Sequence, residues 1–215
     1  MARSDRQAVA GELRATCAVA VLRGQDADTV YEVARHVLEG GVRALEVTMT
    51  VPGAPEVIRR LVTETDALVG AGSVRTAQDV DRCIDAGACF IVSPTCCPEV
   101  IRRAAERGVV VIPGAMTPTE VLTAWDLGAD LVKVFPAARL GPQFLKDLHG
   151  PLPEIPLVPT GGITGENARE YLEAGAELIC LGSWLTKGNR QVVVERARAV
   201  TAVVREYRGR TGNAA

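Results

Sequence analysis

A single lysine interrupts an otherwise apolar run, Asp130-Leu131-Val132-Lys133-Val134-Phe135-Pro136. Strand alternation places Leu131, Lys133 and Phe135 on one face and Val132 and Val134 on the other. Both faces are otherwise apolar, as in a parallel sheet covered by helices. Lysine is almost never fully buried unless it is paired or chemically employed. Two uses are open: a strand-end lysine that reaches for water or a carboxylate, or a reactive amine. An amine in dry, apolar surroundings gives up its proton more readily, which frees its lone pair to attack a carbonyl.

A second charge sits in a similar run, Ala44-Leu45-Glu46-Val47-Thr48-Met49, where alternation puts Glu46 and Thr48 on one face. Glu46 could pair with Lys133 for structure alone, although desolvation makes a buried ion pair a weak source of stability. It could instead move protons while the amine condenses with a keto group. The resulting Schiff base withdraws electrons, so a carbon–carbon bond β to the iminium breaks without a metal. Only two histidines exist, His36 and His149, and neither has metal-ligand spacing. No metal or cofactor is expected.

The elements that must hold these groups follow a regular alternation. A helix is expected over Ser4–Thr16, then a strand Cys17–Leu22 ending at Arg23-Gly24. Helix Asp26–Leu38 stops at Gly40-Gly41, before strand Val42–Thr48. After a helix from Ala54 come strand Ala67–Val69, the turn Gly70-Ala71-Gly72-Ser73 and helix Thr76–Ala86. Strand Cys89–Val92, helix Pro98–Arg107, strand Val109–Ile112 and helix Pro118–Leu127 lead to the Lys133 strand. A shorter helix Pro142–Leu148, strand Ile155–Val158, helix Glu166–Ala174, strand Glu177–Leu181 and helix Gln191–Tyr207 complete the chain, with a frayed Gly-Asn-Ala-Ala end. Gly41-Val42, Gly87-Ala88, Gly108-Val109, Gly128-Ala129 and Gly175-Ala176 each close a helix and open a strand, at separations of about one or two units of roughly 20–23 residues. Eight buried strands, each followed by a helix, predict a (β/α)8 TIM barrel with an extra N-terminal helix, one domain over residues 1–215. An open doubly wound sheet is the alternative, but no G-x-G-x-x-G opens a helix after the first strand.

Composition narrows the class. The chain has 215 residues, 47% hydrophobic and 23% charged, with net charge −2 and no basic block, so no nucleic-acid partner is expected. No apolar run approaches the roughly 18 residues of a membrane span. The N-terminus lacks a signal-peptide pattern. A cytoplasmic protein is expected. The six cysteines include no C-x-x-C. Cys17, Cys89 and Cys180 sit in apolar runs as small hydrophobes, and the adjacent Cys96-Cys97 has no histidine neighbour.

Functional residues of such a barrel collect at the C-terminal ends of its strands. Those ends carry Arg23, Glu46 with Thr48 and Thr50, Ser73, Pro94 with Thr95, Pro113, Lys133, Thr160 and Ser183, a polar ring on apolar walls. Thr160-Gly161-Gly162-Ile163 and Gly182-Ser183 follow the last two strands, where barrels bind phosphate through backbone N–H groups. Glycine there keeps a side chain out of the anion's way; turn chemistry alone is the other reading. Gly70 and Gly72 likewise allow close backbone approach, with Ser73 able to bond a substrate carboxylate.

Five motifs stand in order: Leu45-Glu46-Val47-Thr48, Gly70-Ala71-Gly72-Ser73-Val74, Ile112-Pro113-Gly114, Val132-Lys133-Val134-Phe135-Pro136-Ala137 and Pro159-Thr160-Gly161-Gly162-Ile163. On these, the chain resembles the class I aldolases of the 2-keto-3-deoxy-6-phosphogluconate (KDPG) and 4-hydroxy-2-oxoglutarate (KHG) family, from about Val19 to Trp184. The resemblance implies a homotrimeric barrel that cleaves KDPG to pyruvate and glyceraldehyde 3-phosphate. It makes Lys133 the Schiff-base lysine and Glu46 the general acid/base. It places Ser73 and Pro94 near the pyruvyl carboxylate and Thr160 at the substrate hydroxyls, with Gly161, Gly162 and Ser183 holding phosphate. Some members carry Arg where this chain has Thr50, and that Arg holds the substrate carboxylate. Arg23, in a Leu-Arg-Gly sequence like that of the phosphogalactonate aldolases, is the candidate substitute, against a surface ion pair. The galactonate epimer and KHG are therefore alternative substrates. A phosphosugar isomerase or epimerase and a silent scaffold are competing readings, because a fold alone does not fix function.

Overall fold

The computed structural model describes residues 6–211. Ser4 and Asp5 of the expected first helix, and the expected frayed end at 212–215, lie outside them. Among the described residues there are nine strands: β1 (Ala18–Leu22), β2 (Ala44–Thr48), β3 (Leu68–Gly72), β4 (Phe90–Val92), β5 (Val110–Ile112), β6 (Gly114–Ala115), β7 (Val132–Val134), β8 (Leu157–Pro159) and β9 (Ile179–Leu181). The helices are α1 (Arg6–Thr16), α2 (Ala27–Glu39), α3 (Ala54–Glu64), α4 (Ala77–Asp85), α5 (Pro98–Glu106), α6 (Pro118–Asp126), α7 (Ala137–His149), α8 (Ala168–Glu173), α9 (Ser183–Thr186) and α10 (Arg190–Thr211). None of the described helices is long and apolar enough to cross a membrane.

All strand pairs are parallel, in the order β5-β4-β3-β2-β1-β9 in one sheet and β6-β7-β8 in another. The fold is thus α/β with a curled parallel sheet. It departs from the single eight-stranded sheet expected, because Pro113 separates β5 from β6. The two sheets touch at both seams: an isolated bridge joins Thr160 to Cys180, and the Asp130 N–H donates to the Val111 carbonyl at 3.1 Å.

Sequence signals explain most boundaries. Asp26, Thr76 and Thr117 cap helices with their side chains, Thr117 in a capping box with Glu120. Proline stands in the first turn of α3, α5 and α6. Three boundaries differ from expectation by three residues or more, among them the end of α10, expected at Tyr207 and found at Thr211. The helix expected from Pro142 begins at Ala137, with a break at Gly141 (φ 75°) that Pro142 reinforces. The strand expected to end at Val69 runs on through Gly72.

The core has two layers, as period-two strands demand. Leu45, Val47, Ala71, Ile91, Val132, Val134 and Leu181 face the helices. Val19, Val21, Phe90, Val92, Val110, Ile112, Leu131, Val158 and Cys180 face one another inside the curl, together with Val9, Ala10 and Leu13 of α1. The first helix therefore plugs the end where the strands begin; burying Leu13 contributes about 2 kcal/mol. Arg6 grips Asp130 at 2.9 Å, and Asp130 also accepts the Val111 N–H at 2.8 Å. With that end stoppered, access to the interior is left to the ends where the strands finish.

Candidate active site

Lys133 and Glu46 occupy the inner face, as alternation requires: their strand neighbours Val132, Val134, Leu45 and Val47 all pack outward. Lys133 is 3% exposed and Glu46 fully buried. Neither carboxylate oxygen of Glu46 accepts a hydrogen bond, from Lys133 or from any other described residue. The purely structural ion pair is therefore not formed. Burial pushes the Cys180 thiol up to about 12; Glu46 pushes the same way and Lys133 opposes it. One thiol inside the curl thus feels both charges. The Lys133 Nζ also lies 5.1 Å from the centre of the Phe135 ring.

The glycines of β3 serve a purpose that differs from the expected turn. Gly72, paired with Thr48, lies beneath the Glu46 carboxylate, where any Cβ would overlap it. Gly70 makes room in the same way for the Phe90 ring. These residues are strand rather than loop, and the space they leave is filled by protein. Ser73 follows with φ 57°, a left-handed conformation rare outside glycine, asparagine and aspartate.

Around the strand ends, the other expected site residues separate into two groups. Ser73, Pro94 and Thr50 line one cleft of about 680 Å³ together with Arg75. Thr48 is buried beside it, and its hydroxyl donates to the Leu22 carbonyl at 3.0 Å. The 2.8 Å contact between the Thr48 and Thr50 hydroxyls then requires Thr50 to donate. The hydrogen of Thr48 is accordingly committed to the fold. Arg23, exposed just past β1, makes no ion pair or hydrogen bond among the described residues. The surface ion pair considered for it is absent there.

The second group lies at the ends of β7, β8 and β9. Thr160 is buried, and its N–H donates to the Val134 carbonyl at 2.9 Å. Gly161 (φ 92°) and Gly162 (φ 77°) follow in conformations that a side chain would strain. Gly161 packs on the Phe135 ring and Gly162 on Ala138. The N–H groups of Ala137 and Ala138 donate to the carbonyls of Thr160 and Gly161 at 2.8 and 3.0 Å. Asn167 braces the loop from outside, donating to the Gly162 carbonyl at 3.0 Å and accepting the Thr164 N–H at 2.8 Å. Gly182 caps α9, and Ser183 begins it with its side chain exposed.

Two contributors went unrecognised in the sequence: Cys180 inside the curl and the short helix α9; Phe135, placed beside Lys133 by alternation, does lie beside the amine. Cys180 was readable, since it shares the period-two face of Leu178. A four-residue helix has too little periodicity to read. Cys96 and Cys97 are half-buried at the start of α5, where burial raises the Cys96 thiol. Among the described residues no group of three or more His, Cys, Asp or Glu is placed to hold a metal ion.

Comparisons with known proteins converge. Residues 9–202 match the family model described as KDPG and KHG aldolase. The 2-dehydro-3-deoxy-6-phosphogalactonate aldolase of Escherichia coli (strain K12) is 36% identical over 193 residues, 88% of this chain and 94% of that protein. A solved structure described as native KDPGal superposes with a TM-score of 0.84 at 34% identity, covering 88% of this chain and 95% of that one. The KDPG aldolase of Legionella pneumophila, solved with pyruvate captured as a covalent carbinolamine, superposes with a TM-score of 0.78 at 28% identity, covering 91% and 95%. With its motifs, its curled sheet and the buried amine and acid all in agreement, this chain belongs to the KDPG and KHG aldolase family, whose members are lyases.

Proposed function

We propose that the protein is a metal-independent class I aldolase that cleaves KDPG to pyruvate and glyceraldehyde 3-phosphate. The observation that carries the reading is the orphaned Glu46 carboxylate. A buried carboxyl group without partners costs the fold about 1–3 kcal/mol in desolvation even when neutral. A site that needs the group in substrate-bound states explains its retention. Lys133 Nζ attacks the C2 carbonyl of the keto acid, and Glu46 supplies the proton with which the carbinolamine oxygen leaves as water. The iminium then draws in the electrons of the C3–C4 bond, while Glu46 takes the proton of the C4 hydroxyl. The aldehyde departs, the enamine takes a proton at C3, and water releases pyruvate from the lysine. The Legionella carbinolamine supports the first of these steps.

The same reading assigns the remaining residues. Ser73 and Pro94, with Thr48 behind them, receive the pyruvyl carboxylate, Thr160 meets the hydroxyls, and Gly161, Gly162, Gly182 and Ser183 hold the phosphate. The two sheets act as one (β/α)8 barrel, which the bridge from Thr160 to Cys180 and the bond from Asp130 to Val111 support. All six cysteines are free thiols, which suits the cytoplasm. The resemblance further implies a homotrimer. Light scattering should then give about three times the 22.8 kDa of one chain; a mass of one chain at assay concentration would sink it.

One observation favours a second substrate. The unpartnered Arg23 just past β1, with Thr50 tied to Thr48, together with the Leu-Arg-Gly sequence that resembles the phosphogalactonate aldolases, suits the galactonate epimer. A fork-shaped guanidinium binds a carboxylate through two parallel hydrogen bonds. Cleavage rates on KDPG, its galacto epimer and KHG, with and without Arg23→Ala, decide between them. The expected result is cleavage of KDPG with a KM raised roughly tenfold by Arg23→Ala, the cost of one charge-assisted hydrogen bond. Unchanged kinetics in the variant would remove Arg23 from the site, and failure on all three substrates would remove the reading itself.

A further inference from the structure

Outside the residues assigned so far, one side-chain assembly joins the two loops proposed to hold phosphate. Trp184, in α9, lays its indole across Gly165 of the loop between β8 and α8. A Cβ at Gly165 would stand 2.7 Å from the edge of that ring. Gly165 has no left-handed backbone, so the glycine is required by the indole rather than by the turn. Arg196 projects from α10, half-buried, and its Nη1 donates to the Trp184 carbonyl at 2.6 Å and to the Lys187 carbonyl at 2.8 Å. Its guanidinium sits 5.3 Å from the centre of the Trp184 ring. The same cation acts on the other loop. The Glu166 carboxyl is held below the usual range mainly by a hydrogen bond with Thr164, and Arg196 adds to that pull.

The assembly has a clear mechanical consequence. A helix of four residues cannot hold its own geometry, and two of the carbonyls around its C-terminal end are satisfied by Arg196. The arginine is itself mounted on a helix anchored by the buried Val193, Ala197 and Val200. We infer that Arg196 and Trp184 are positioning residues that fix the β9–α9 loop against the β8–α8 loop, and so set the affinity for the phosphorylated end of the substrate. This rests on the phosphate assignment made above. The clamp touches neither Lys133 nor Glu46, so its effect should be confined to ligands that carry phosphate.

The test uses the full chain and separates the two claims. In a Trp125→Phe background, Trp184 is the one remaining tryptophan, and its fluorescence reports a titration with inorganic phosphate. Arg196→Ala should weaken phosphate binding about tenfold and raise KM for the phosphorylated substrate by a similar factor. Cleavage of unphosphorylated KHG and borohydride trapping of pyruvate should stay within about twofold of the parent. Arg196→Lys, which keeps the charge but loses the fork, should fall between the two. It also provides the answer if the alanine variant does not fold. Equal losses on phosphorylated and unphosphorylated substrates, or an unaltered phosphate titration, would overturn the clamp. Absence of a pyruvate adduct in the parent would instead overturn the aldolase reading.

Discussion

Lys133→Met is expected to abolish the covalent pyruvate adduct and to lower cleavage by on the order of 10⁴-fold or more, because the other two lysines, Lys146 and Lys187, are exposed and outside the curl. Incubation with pyruvate and borohydride, followed by mass spectrometry of the digested chain, should place the adduct on the peptide containing Lys133. Methionine matches the length of the lysine stem and suits the apolar inner face formed by Leu131, Val158 and Phe135. It also removes an amine that is 3% exposed. That amine makes no hydrogen bond or ion pair among the described residues, so none is lost, and the variant should unfold at the same temperature as the parent or higher. Loss of activity with stability retained would mark a chemical role. An adduct that persists in Lys133→Met, or that forms on Lys146 or Lys187 instead, would end the Schiff-base account for this residue.

The residues that carry this prediction were legible because strands impose a simple rule. A charge in an apolar strand must point either at the helices or into the curl; alternation grouped Leu131, Lys133 and Phe135 against Val132 and Val134, and the structure turns the first set inward. Glu46 and Thr48 followed by the same logic, and the repeated glycine junctions gave the βα unit. What the sequence hid was of two kinds. Contacts between distant segments leave no local pattern: Gly72 beneath Glu46, Gly165 beneath Trp184 and Phe135 beneath Gly161 are meetings of residues far apart in the chain. Gly70 and Gly72 looked like turn residues because a strand interior seldom needs glycine. Only the side chains lying on them explain the choice. Short elements hide too, because α9 and β6 have too few residues to show a period. The seam at Pro113 is a related case, since proline interrupts a ladder by removing an N–H donor.

Glu46→Gln tests the other half of the pair and separates proton transfer from imine formation. Glutamine keeps the size and the position over Gly72 but cannot take or give a proton. Removing a positioned acid/base group costs roughly 10²–10⁴-fold in rate, and kcat should fall by that amount while KM changes little. The clearest reading comes from pyruvate alone in deuterated water, followed by proton NMR of the methyl group. The parent enzyme should exchange methyl protons through its enamine, and Glu46→Gln should lose nearly all of that exchange while borohydride still traps pyruvate on Lys133. Stability gives an independent check. The Glu46 carboxyl has no hydrogen-bond partner among the described residues, so no existing bond is broken by the change. The unfolding temperature should therefore hold or rise. Were the carboxylate a structural anchor, the variant would instead lose stability along with activity. Methyl exchange at the parent rate in Glu46→Gln would show that another group moves the protons, and the role of Glu46 would shrink to shaping the cavity around the amine.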